Sequence, residues 1–356
     1  MREHWIAGVK PLAQFMEDGS FLMPEIPALL RALQAMGAPA AFDYDYLLSL
    51  SGMAVRLVWQ QGWAEYRDTP NQGVFYGKNV VELALDRVGA GYTVRRFDNG
   101  AAEEVRRLLD SGRPVLMQGG AQAYAALLGY RGNDFYGVST FADASQRIAP
   151  HAYNRIDCEK AERYIAIDGC AFRPLDRTLL TEVLQTAVSL ARVTRSPELG
   201  DTALGISAFD AVAELMVWDE GFAGLTPGTP SAGPFSFPYE RPDGYYRTDG
   251  AGTLEQRFWA GYCDFLCMLN GYENFARFLE KYAPLVPAWE RALRAAAENY
   301  RAAGVSSGAL WEYVKPDGSD LSKFLDRDVR YAFAAHMLRA KIYTIRAAEC
   351  LEGILR

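Results

Sequence analysis

Along residues 24–36 apolar side chains recur at Ile26, Leu29, Leu30, Leu33 and Met36, the three- and four-residue spacing of one helix face, and Gly37 stands where that helix should stop. The same spacing returns after Asp43 to Asp45 in Leu47, Leu50, Ala54, Leu57 and Val58. It predicts a second helix whose early acids suit its positive N-terminal end. Asn79 is a good N-cap for a third, running through Leu83, Leu85 and Val88 to Gly89. Then the period shortens. TVRRF, RPVLMQ, YAALLGY, NDFYGVST and ERYIAIDG are short apolar runs bounded by Gly, Asp and Asn, which is how strands are punctuated, with one short helix at AAEEVRRLLDSG ending on Gly112. Helices followed by a strand meander predict an α+β fold with an antiparallel sheet, not alternating βαβ units.

From Pro174 onward the helical period takes over again, in PLDRTLLTEVLQTAVSLARV and then at Ile206, Phe209, Val212, Ala213 and Met216. Residues 222–252 break every pattern with Gly, Pro and aromatics such as Phe235, Phe237 and Tyr245, so this long loop is read as a segment that packs over something. Helical spacing resumes at Leu254, Phe258, Tyr262, Phe265 and Leu269, continues at Trp289, Leu293, Ala296 and Tyr300, and closes with a long helix from about Leu321. Two domains follow: an α+β domain over 1–172 and an all-α helical domain over 173–356 carrying the 222–252 loop.

Composition narrows the function classes. Half of the 356 residues are apolar, enough for a large core, and the net charge of −7 with scattered basic residues gives no footprint for nucleic acid. MREHWIAGVKPLAQF lacks the apolar run of a secretory signal, and no stretch approaches a membrane span. Five cysteines, an odd number in a large chain, suit reduced thiols and a cytoplasmic location. Cys263 and Cys267 share a helix face, but His4, His151 and His336 are scattered, so no metal is expected. Neither a GxGxxG fingerprint nor a phosphate loop occurs, and GVSTF around Ser139 has only one of the two glycines of a nucleophile elbow. No cofactor is expected.

One stretch of text is distinctive. FDYDYLLSLSGMAVRLVW at residues 42–59, then Gly62 and Trp63, GRPVLM, LLGY and NDFYGVSTF together resemble a bacterial papain-like family. That family includes the N-terminal domain of butirosin biosynthesis protein H and is similar to the double-glycine bacteriocin-processing peptidases. The resemblance runs to about Asp168 and implies a papain-like (cysteine-peptidase-like) fold for the first half. It also implies a nucleophilic cysteine at the start of the first core helix, where the positive helix end lowers the thiol pKa, and a histidine base on a later strand. This sequence has Met23, Pro24, Glu25, Ile26 and Pro27 at the first place, and Ala123 and Tyr124 near the second. Both members of the dyad are missing.

The cleft implied by the resemblance would therefore be lined by other side chains: Glu25, Trp63, Tyr66, Gln118 and Tyr124, with Gly119 and Gly120 offering backbone N–H groups to a carboxylate or amide. Each also has an ordinary structural reading, Glu25 as an exposed partner of the helix dipole and the aromatics as core with satisfied tips. The expected function is a catalytically degenerate papain-like protein that binds a small molecule or short peptide in a cleft between its two halves. The alternative is an acyltransferase or amide hydrolase in which Glu25 or Tyr124 serves as acid or base. Neither nucleic acid nor membrane is an expected partner, and dimerisation through the last helices stays open.

Overall fold

In a computed structural model, described over residues 2–10, 25–60, 74–75, 78–119, 124–139, 147–148, 151–158, 161–194, 202–224, 264–313 and 320–356, the chain divides into two compact units. One comprises Met1–Ser51 with Val74–Leu175, the other Gly52–Gly73 with Asp176–Arg356.

The first unit is built on an antiparallel sheet of eight strands, as the meander of short runs predicts. In chain order these are β1 (Glu3–Trp5), β2 (Ala90–Arg96), β3 (Val115–Gly119), β4 (Tyr124–Arg131), β5 (Asp134–Val138), β6 (Arg147–Ile148), β7 (Tyr153–Ile156) and β8 (Ala161–Cys170). Their order across the sheet is β2-β8-β3-β4-β5-β7-β6, with β1 pairing residues 129–131 of β4 beyond the stretch that β3 occupies. Gly129 has no substitute there, because a Cβ would lie 2.5 Å from the Trp5 ring and 2.7 Å from the His4 carbonyl oxygen. The sequence pattern did not foresee β1, β6 or β7, which are short and lack alternation.

Helices cover both faces of this sheet. The helix α4 (Ala101–Asp110) places Ala101, Val105, Leu108 and Leu109 against Val115, Met117, Ala125, Leu127, Tyr164 and Ala166. On the opposite face, where Leu116, Gln118, Tyr124, Ala126 and Ile165 point, α1 (Glu25–Ala35) packs on β3 and β4. Beside it lie α2 (Tyr44–Leu50) and α3 (Val80–Val88), and the buried Arg87 guanidinium donates to the Leu50 carbonyl at 2.6 Å, closing the end of α2.

That early end corrects the expectation of one helix through Val58. Gly52 takes a left-handed φ of 77°, Met53–Val55 forms a single 3-10 turn, and Val58–Gln60 is extended and pairs with Thr202–Leu204 within the second unit. The helical spacing of Ala54, Leu57 and Val58 is real, but buried contacts elsewhere satisfy it better. Gly271 lies so close to the Ala54 carbonyl that a Cβ there would approach the oxygen to 2.6 Å.

The rest of the second unit is helical: α5 (Arg177–Arg192), α6 (Ile206–Val217), α7 (Asp264–Tyr282), α8 (Glu290–Gly308) and α9 (Arg327–Leu355). Asp176 caps α5 by accepting from the Leu179 N–H at 2.7 Å. Tyr272, Phe275 and Tyr300 meet edge-on between α7 and α8, with centroids 5.0 and 5.2 Å apart. Helix α9 packs on α5, α6 and α8. Most of the 222–252 loop, and the stretch with Leu254, Phe258 and Tyr262, lie outside the described residues.

Candidate functional site

Three strands of the first unit bring one polar row together. Arg163 of β8 is the register partner of Gln118 of β3, and Gln118 is the register partner of Tyr124 of β4. Residues directly opposite one another in an antiparallel sheet share a face, so the three side chains stand side by side. The Arg163 guanidinium donates to the Gln118 side-chain oxygen. Two helix starts approach this row. The N-cap of α3, Asn79, accepts from the Val81 N–H at 2.8 Å through its oxygen and donates to the Tyr124 hydroxyl at 2.9 Å through its nitrogen. Glu82, one turn into α3, lies 3.5 Å from Arg163.

Glu25 is the first residue of α1, and its charge is felt at Tyr124. Burial pushes the Tyr124 phenol pKa up and the Glu25 carboxylate adds to the rise, while Arg163 and Asn79 offset part of it. The hydroxyl therefore stays protonated at neutral pH and can offer a proton, but it is a poor base.

Burial is graded along the row. Glu25 is fully buried, Tyr124 is 1 % exposed, Gln118 3 % and Asn79 4 %, whereas the Arg163 side chain is 29 % exposed. The expectation that Glu25 is an exposed helix-start carboxylate is thus overturned: the first turn of α1 is pressed onto the sheet, and all four residues from Glu25 to Ala28 are buried. Of the sequence-based candidates, Glu25, Gln118 and Tyr124 come together. Trp63, Tyr66 and Gly120 lie outside the described residues. Gly119 ends β3 with a left-handed φ of 97°, still paired with Ala161.

Asn79, Glu82 and Arg163 were missed as site residues. A signal for Arg163 was present in ERYIAIDG, where it shares strand parity with Ile165 and Ile167 and so places a cation on a core-facing line. For Asn79 the capping role concealed the second hydrogen bond.

The described thiols do not suit nucleophilic work. Burial pushes Cys158 up to about 12, and it raises Cys170 and Cys350 as well. Among the described residues no group of three His, Cys, Asp or Glu side chains could hold a metal ion, and no helix is long and apolar enough to cross a membrane. His151 stacks on Tyr153 at 5.4 Å beside Trp5, and His336 lies near the Tyr313 ring at 6.0 Å. Compared with known proteins, the chain matches no family model and no curated protein.

Proposed function

We propose that the first unit is a papain-like domain without its cysteine-histidine dyad, and that it binds a small molecule or short peptide bearing a carboxylate or amide at the Arg163–Gln118–Tyr124 row. The observation that carries this reading is the grading of the row from a closed end at Tyr124 to a partly open end at Arg163. Arg163 holds Glu82 only at 3.5 Å, longer than a good charged hydrogen bond, so an incoming carboxylate can compete for it. Gln118 uses its oxygen to accept from Arg163, which leaves its amide N–H groups to offer a ligand.

Binding is preferred to base or nucleophilic catalysis because the raised Tyr124 phenol is a poor base, and because the described thiols are shifted away from thiolate. The papain-like assignment rests on the resemblance in sequence together with the antiparallel sheet of the first unit.

Thermal-shift screening with small carboxylic acids and dipeptide amides tests the reading. A concentration-dependent rise in melting temperature that Arg163→Gln abolishes supports it. Shifts indifferent to both Arg163→Gln and Tyr124→Phe, or no shift from any carboxylate or amide, would sink it.

A further inference from the structure

Along α9 the exposed positions form a line of their own. Tyr331, Leu338 and Ile342 are 37 %, 43 % and 51 % exposed, Ala335 and Glu349 are exposed, and Ile345 is half-buried. Their spacing is four, three, four, three and four, the repeat of a coiled-coil seam, and it runs about 27 Å along the helix. The opposite side of the same helix carries Phe333, Met337, Ala340, Thr344, Ala347 and Leu351 into the interior of the second unit. The seam is thus additional to the face that holds the unit together.

We propose that this seam is where two copies of the chain dock, antiparallel about a two-fold axis level with Ala340. The spacing reads the same in both directions, as an isologous contact requires. In that register Leu338 meets Ile342 of the second copy, and small Ala335 meets large Ile345, a knob against a hole. At each end Tyr331 meets Glu349. The charge there is complementary: the largely exposed Arg327 donates to the Tyr331 hydroxyl at 2.7 Å and sits one turn from the incoming carboxylate, which it would share with Asp219, 3.3 Å away in its own chain.

A lipid surface fits less well. Glu349 continues the apolar line and would have to enter the acyl region, and the line is a single residue wide, with Arg339 and Arg346 seven residues apart along one flank. Arg339 opposes the dimer: both copies bring it to the same flank near the axis. Its long side chain can turn to solvent, but the like charge weakens the contact. One helix seam is at the small end of specific interfaces, so the association is weak and concentration-dependent.

Sedimentation velocity on the full chain from about 1 to about 100 µM tests this over the range expected of a small interface. A monomer–dimer equilibrium is expected. Ile342→Glu should weaken it at least about tenfold without changing the melting curve, since this side chain is half exposed. Arg327→Glu should weaken it too, with recovery in the Arg327→Glu, Glu349→Arg double variant, whereas Arg339→Ser should tighten it. A chain that stays monomeric throughout overturns the proposal, as does a dimer indifferent to both Ile342→Glu and Leu338→Glu. Monomers that co-sediment with anionic vesicles would assign the seam to a membrane instead.

Discussion

Two arginines on core-facing lines, Arg163 in the first unit and Arg330 in the second, differ in how completely their hydrogen-bonding capacity is used. Arg330 is 3 % exposed and donates to the carbonyls of Met216, Phe324 and Leu325 and to Asp219, with its guanidinium 4.5 Å from the Phe222 ring. Three of those acceptors are backbone carbonyls near chain turns. Arg163 has only side-chain partners, Gln118, Tyr124 and the more distant Glu82, and keeps part of its surface in water. Arg163 is the proposed ligand contact, with capacity to spare; Arg330 is a clasp. A buried cation alone does not mark a functional site; the unspent donors do.

Removal of the Arg330 clasp should have the largest effect. Arg330→Ala should destabilise the second unit by about 3 kcal/mol, since it removes a buried side chain and the donor to three backbone carbonyls at once, whereas the half-exposed Asp219 keeps Arg327 at 3.3 Å. Urea denaturation would read this, and ligand-induced shifts at the first unit should persist. A loss below about 1 kcal/mol would mean that water replaces the guanidinium readily.

Glu25→Ala should cost about 2 kcal/mol, well above the ~0.3–1 kcal/mol of an exposed helix-start acid, because it empties a fully buried position. Equal melting temperatures for variant and wild type would contradict the burial of this carboxylate. Tyr124→Phe should cost about 1 kcal/mol by leaving the Asn79 amide without its acceptor.

Tyr124 also ties the stability of the first unit to pH. A phenol whose pKa is raised by folding stabilises the folded chain at neutral pH, and that stability is lost as pH climbs from about 10, where the unfolded tyrosine ionises. Tyr272 and Tyr300, raised by burial in the second unit, act in the same direction. Denaturation between about pH 9 and 11 should therefore show falling stability, less steeply in Tyr124→Phe. A variant with the wild-type slope would show that Tyr124 is not held neutral by the fold.

Smallest of all, Arg192→Ala should change stability by less than about 0.5 kcal/mol. Its pair with Glu352 is partly solvated and screened. Arg163→Gln belongs near this end in stability, yet it should remove ligand binding, and that split is what separates the row from the clasp.

Local patterning was enough for most elements. Asn79 and Gly89 bracket α3, Asp176 opens α5, and the apolar spacing at Leu179, Leu180, Val183 and Leu184 marks its buried face, because caps and periodicity act over one or two turns and are written in adjacent residues. The antiparallel sheet was legible for the same reason, in short runs closed by Gly, Asp and Asn. What only the tertiary structure decided depended on partners distant in the chain. Residues 53–60 keep helical spacing but turn and extend, because Ala54 faces Gly271 and Trp59 pairs with Ala203. Glu25 is buried because α1 lies on β3 and β4, and Arg163 meets Gln118 and Tyr124 because strands 45 residues apart in sequence are adjacent rungs. Periodicity records which face of an element is apolar; it carries no record of which other face will cover it, and burial, register and the company of a polar side chain all follow from that second fact.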